Sequence, residues 1–266
     1  SGTAMRKRQL ELILAAAQSA KTGDRRADLA FVATRLARAL PLVERGRTVK
    51  ALVALWPGAA EQAFELRYRL IRAAGTLDPR GHRAWLLTRL TSPSPVLRWL
   101  ALRPLSQQPD PTMAAKLLAA LRDRDPRVRA TAAAALRRHK GPKVVEALQN
   151  TLRYEGWPVV ARSAALALGH HCDAASLAAL RRAISNRALG IDVAALSALA
   201  RCRPPKLFDT LLTYAMSRKQ PVGLRRRAAA LLDQRLVGDR VRILASLFLR
   251  LRREALASAA AEQVAA

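Results

Sequence analysis

Four histidines, two cysteines and a large surplus of arginine are the side chains of this sequence with the most chemistry to offer. His82, His139, His170 and His171, with Cys172 and Cys202, are donor types that could hold zinc. Zinc draws its ligands to within about 2.3 Å of one metal. His139, His171 and Cys202 instead recur about one structural repeat apart, and stacked helices stand about 8–10 Å from each other. No metal site is expected. There is also no Gly-rich phosphate loop, no nucleophile elbow and no paired-carboxylate motif. The chain therefore reads as a non-enzyme with no catalytic residue and no cofactor. Two cysteines are too few for a disulfide scaffold, and the expectation is a pair of buried thiols near helix ends. That would suit a reducing, cytoplasmic setting.

The arginines are the stronger signal. Lys plus Arg number 47 against 19 Asp plus Glu, a net charge of +28, and 39 of the positives are Arg. A GC-rich coding sequence would enrich Arg and Ala, but it would not remove the balancing acids. Self-repulsion of this size opposes a compact fold unless a partner or counterions offset it. The surplus runs through the whole chain rather than a tail, so it belongs to the folded surface. Candidate ligand contacts are bases with no acid within a helical turn. Arg137, Arg138 and Lys140 end one helix, close to Lys143 at the start of the next. Arg162, Arg181, Arg182 and Arg187 follow, then Arg201, Arg203 and Lys206, then Arg225, Arg226 and Arg227, and finally Arg250, Arg252 and Arg253. The helix dipole favours a cation at a C-terminus by about 0.3–1 kcal/mol. It does not call for this many uncompensated charges.

Helices must position these residues. Apolar residues make up 51% of the chain and aromatics only 4%, so Ala and Leu, both good helix formers, supply the core. An internal period organises them: Pro95, Pro126 and Pro158, then Gly190 and Pro221, recur at spacings of 31, 32, 32 and 31 residues. Each opens a run like Asp125-Pro126-Arg127-Val128-Arg129-Ala130-Thr131-Ala132-Ala133-Ala134-Ala135-Leu136, with counterparts at 95–105, 157–168, 190–199 and 221–232. Asp125 can cap the free amides and proline suits the first helical position. Val128, Ala132, Ala135 and Leu136 then share one apolar face. Partner helices are expected at 79–90, 111–122, 142–152, 174–184 and 205–216, joined by short turns. A single pair cannot bury its face, so the pairs stack. The expected architecture is all-α, an α-solenoid of stacked antiparallel helix pairs. It divides into divergent helical repeats forming a cap at 1–77, five repeats at 78–236, and a terminal capping helix with a frayed Ala-rich tail at 237–266. No run of 18 apolar residues is present, so no transmembrane helix is expected. The opening Met5-Arg6-Lys7-Arg8 and the apolar 10–17 resemble a secretory signal, but Glu11 interrupts them and an amphipathic helix fits equally.

The Asp-Pro-x-Val-Arg-x-x-Ala-x-x-Ala-Leu pattern at 125–136 resembles the HEAT-like repeat family, including the short repeats named after phycobilisome lyases. The resemblance implies that Arg98, Arg129 and Arg225 form a structural ladder, with Arg129 bonding Asp125. A looser likeness to alkylpurine DNA glycosylases built from HEAT-like repeats implies that Trp99, Arg162 and Asp233 face a groove.

Repetition of bases every 31–32 residues lays them in a stripe, and a stripe tracks a phosphate backbone. The leading expectation is a basic concave surface that binds nucleic acid, duplex DNA above others, through Arg137, Arg138, Lys140, Lys143, Arg162, Arg181, Arg182, Arg201, Arg203, Arg225, Arg226, Arg227 and Trp99. A scaffold for an acidic protein partner is the alternative, suited by Leu247, Phe248, Leu249 and Leu251. A DNA glycosylase is the second alternative, and a basic amphipathic terminus on anionic membrane a weaker option.

Overall fold

A computed structural model describes residues 2–56, 63–108, 110–185 and 190–235. Among them are fourteen α-helices and no strand. In chain order they are α1 (Gly2–Ser19), α2 (Gly23–Ala37), α3 (Leu42–Val53), α4 (Phe64–Leu77), α5 (Arg83–Thr88), α6 (Pro95–Ser106), α7 (Met113–Ala120), α8 (Pro126–Leu136), α9 (Pro142–Tyr154), α10 (Pro158–Leu168), α11 (Ala174–Ser185), α12 (Ile191–Cys202), α13 (Leu207–Met216) and α14 (Val222–Arg235). The terminal helix expected at 237–266, with its apolar Leu247–Leu251 stretch, lies outside the described residues, as do Arg187, Arg250, Arg252 and Arg253.

The helices form two layers. Even-numbered helices pack against one another in sequence from α2 to α14, while successive odd-numbered helices meet over much shorter stretches. The sequence explains the asymmetry. Ala132, Ala133, Ala161, Ala164, Ala165, Ala195 and Ala198 are fully buried in the even layer, whereas Leu117, Leu148, Leu180 and Leu211 carry the contact from the odd one. Methyl side chains let the backbones of the even layer approach closely. The chain is an α-solenoid. Helices α1 to α4, expected as a cap, continue the same two-layer stacking.

Local signals act as anticipated at α8. The Asp125 carboxylate accepts the Arg127 N–H at 2.8 Å, and Pro126 occupies the first turn. The ladder exists, with a different partner from the one expected. Arg129 donates to Glu155 and to the carbonyls of Asp123 and Arg124, not to Asp125. Arg98 does the same one repeat earlier, donating to Asp123 and to the carbonyls of Ser92 and Pro93. Asp125 is occupied as a cap, and an arginine one turn into the helix points across to the following repeat. Ala161 ends the ladder at α10. At the equivalent place in α14, Arg225 is half-buried and its Nε has no hydrogen-bond partner among the described residues. The helix expected at 79–90 is shorter, because Asp78 holds a turn through the Gly81 N–H at 2.9 Å. The helix expected from Pro205 begins at Leu207, after Lys206 in the left-handed region with φ 61°.

Candidate nucleic-acid interface

The surface of the even layer carries three clefts that share their walls. The first, about 260 Å³, lies between α2 and α4 and is lined by Phe31, Thr34, Arg35, Arg38, Arg69 and Arg72. The second, about 530 Å³, shares Arg38 and Arg72 and extends to Tyr68, Trp99, Arg103 and Gln107 between α4 and α6. The third, about 350 Å³, shares Trp99, Arg103 and Gln107 and reaches Thr131, Arg137 and Arg138 on α8 and Ser163 on α10. Among the described residues seven arginines line this run and no carboxylate does. Arg69 is partly neutralised by Glu65, one turn earlier on α4. Arg38, Arg72, Arg103 and Arg137 have no described carboxylate within ion-pair distance.

Backbone proximity makes the middle cleft. A Cβ placed on Gly75 of α4 would stand 2.8 Å from the Pro104 ring of α6, so these helices lie closer there than any other residue would allow. Trp99 is fixed by its indole N–H, which donates to the Thr131 hydroxyl on α8 at 3.1 Å. Arg103 then sits over the indole, 5.7 Å from the ring centroid.

The bases expected to form one stripe separate into groups. Arg137 and Arg138 line the third cleft. Lys140 donates to the His170 carbonyl at 2.6 Å. Burial pushes the His170 pKa down, and Arg201 from α12 with Arg137 and Lys140 after α8 push it further, so bases of the two flanking repeats act on His170. Arg162 lies against the Gly190 turn, and Arg203 is exposed at the end of α12. Arg226 is exposed on α14, while Arg227 donates to Ser197 on α12 at 2.8 Å. Lys143, Arg181 and Arg182, however, belong to α9 and α11 in the odd layer. Arg182 lines a separate cleft of about 290 Å³ there, with Arg153 and Gln149. Lys143, Arg181 and Arg182 fall in the partner helices expected at 142–152 and 174–184, and the expected stripe combined both kinds of helix because both repeat at the same interval. The arginines at 35, 38, 69, 72 and 103 were not anticipated as contacts. The signal that could have found them is an arginine four residues after an aromatic, in Phe31/Arg35, Tyr68/Arg72 and Trp99/Arg103.

Trp99 and Asp233, which the glycosylase likeness would place together, stand on α6 and α14. Helices α8, α10 and α12 intervene, a distance of roughly 32–40 Å at 8–10 Å per helix. Asp233 is exposed and makes no ion pair among the described residues.

A family model described as HEAT repeats matches residues 114–188. Those residues are HEAT repeats. They span α7 through α11, with the Arg129–Glu155 pair and the α8 and α10 wall of the third cleft. No curated protein matches the sequence. Among solved structures, human deoxyhypusine hydroxylase in complex with glycerol is similar to the chain. It has a TM-score of 0.39 and 15% identity, covering 87% of this chain and 97% of that one.

One feature of the HEAT stack overturns an expectation. Cys172 and Cys202 are joined in a disulfide, with their Cα atoms 5.2 Å apart, and are not buried thiols. The reason is packing between α10 and α12. A Cβ on Gly169 would stand 2.7 Å from the Ala198 Cα, so the two helices touch backbone to backbone near their C-terminal ends. Cys172 follows in the left-handed region, φ 58°, and faces Cys202. The expectation of a reducing compartment rested on free thiols and loses that support. Among the described residues no helix is long and apolar enough to cross a membrane, and no three His, Cys, Asp or Glu side chains converge as metal ligands do.

Proposed function

We propose that this HEAT-repeat solenoid is a non-catalytic binding protein that takes nucleic acid along its even-helix face, holding the phosphate backbone. The observation that carries the reading is the run of three adjoining clefts lined, among the described residues, by arginine without a carboxylate. Arginine suits the task because its planar fork can engage a phosphate through two N–H groups at once. A rigid stack holds those forks at fixed separations, which lowers the ordering cost of binding. The net charge of +28 supplies the long-range attraction.

Electrophoretic shift and anisotropy with duplex DNA, single-stranded DNA and RNA, each across salt, test it. Contact with six to ten phosphates would lower affinity about 10³–10⁵-fold between about 50 and 200 mM salt. Arg72→Glu combined with Arg103→Glu should abolish binding in a folded protein. Absence of binding to all three nucleic acids at the lower salt sinks the reading, and a nuclease-resistant acidic protein partner would replace it.

A further inference from the structure

A channel that only neutralises phosphates needs no aromatic rings, yet this one has three. Phe31 on α2, Tyr68 on α4 and Trp99 on α6 each line a cleft. Each is followed one helical turn later by an arginine of the same clefts, Arg35, Arg72 and Arg103. Residues four apart share a helix face, so ring and guanidinium are presented side by side on three successive even helices. Tyr68 and Trp99 pack partly against the core, and the rest of each ring lines the clefts. Thr131 holds the place beside Trp99 on α8 and Ser163 lines the same cleft from α10, and the solenoid continues through both. Nor are the rings saturated by their own cations. Arg35 and Arg103 lie 5.9 and 5.7 Å from the Phe31 and Trp99 centroids, at the outer reach of a cation–π contact. Arg69 is closer to Phe31, at 4.5 Å, and covers part of that ring.

We propose that the ligand of this groove is a single-stranded nucleic acid, with unpaired bases stacked on Tyr68, Trp99 and Phe31 and phosphates held by the neighbouring arginines. The proposal rests on the nucleic-acid reading above and narrows its substrate. In a duplex each base face is covered by its neighbours, so a protein surface meets only edges and backbone. An unpaired strand offers a face at every base, and aromatic side chains stack on it whatever its identity. Gln107 is the one amide in the lining suited to base edges, so recognition is sequence-tolerant.

The full chain should be titrated with labelled oligothymidine, oligouridine and a mixed-sequence duplex at matched length and salt. The single strands are expected to bind more tightly than the duplex, and comparison of the two strands separates DNA from RNA. Tyr68→Leu and Trp99→Leu should each weaken single-strand binding by roughly fivefold or more and duplex binding by less, so the single-strand to duplex ratio falls. Trp99→Phe, which keeps a ring, should retain most of the affinity. Thr131→Val removes the indole hydrogen bond without removing the ring, so it should alter thermal stability and not the single-strand to duplex ratio. Equal or tighter duplex binding, or an unchanged ratio in both leucine variants, overturns the single-strand assignment and leaves the phosphate reading in place. No binding by any of the three overturns both.

Discussion

Arg129 on α8 forks onto Glu155 in the turn before α10, with Nε and Nη2 each 2.8 Å from one carboxylate oxygen. Glu155 also accepts the Trp157 N–H at 3.0 Å, so one carboxylate ties a helix to the next repeat and shapes the turn that starts it. Arg98 and Asp123 repeat the arrangement, with Asp123 accepting the Asp125 N–H at 2.8 Å. Both members of the later pair are mostly sheltered, at 15% and 10% exposure. Glu155→Gln or Arg129→Met should therefore lower folding stability by about 1.5–3 kcal/mol. A double-mutant cycle read by chemical denaturation checks this, and additive effects would show that the pair is not coupled.

Acid should loosen the same region. The Arg127 side chain beside Asp125 holds its carboxyl down to about 2. The Arg129 hydrogen bond keeps Glu155 below the ordinary range. Burial works to raise Asp123, but Arg98 and the Asp125 N–H outweigh it and the net direction is down. A carboxylate depressed in the folded state contributes stability that is complete above its unfolded value of roughly 4 and is lost as pH falls through the folded one. Thermal melts should fall most steeply between pH about 4 and 2, and Asp125→Asn should flatten that limb.

A shallower loss should begin at higher pH. Burial lowers the pKa of His139, His170 and His171, with neighbouring cations adding to the effect at each. The unfolded chain then takes up protons first, so stability declines as pH drops below about 6.5. Proton NMR titration of the imidazoles should show three midpoints below that of free histidine. Midpoints at or above it would contradict the burial assigned to them.

The Cys172–Cys202 bond closes a segment separated by 30 residues in sequence. Reduction, or Cys172→Ser with Cys202→Ser, should cost about 2–4 kcal/mol by freeing the unfolded chain. Melting with and without reductant measures it, and an unchanged Tm would mean that helix packing alone holds these ends.

Gly169→Ala should part α10 from α12, because the new methyl would meet the Ala198 backbone. The expected loss is about 1–3 kcal/mol. Thiol titration of the purified variant should also reveal free cysteine, since the two sulfurs depend on that close approach.

Much of the architecture was written locally. Pro126 with its Asp125 cap, the Val128–Leu136 apolar face and the 31–32 residue period specify a helix, its start and its stacking partner within a dozen residues. Local steric and hydrogen-bonding rules govern all three, so no distant residue is needed to read them. The ladder was half legible: the arginines recur at one place, but the acid that each meets lies 25 or 26 residues away in another turn.

The order of residues alone thus specifies the repeat, its helices and the excess of positive charge. Packing in three dimensions brings Arg38, Arg72, Arg103 and Arg137 into one run of clefts, while Arg182 lines a separate one. It also decides that Cys172 and Cys202 meet. A period of about 32 residues fixes where a side chain recurs along the stack. How near its neighbour stands depends, at Gly75 and Gly169, on a backbone approach that one added carbon atom would block.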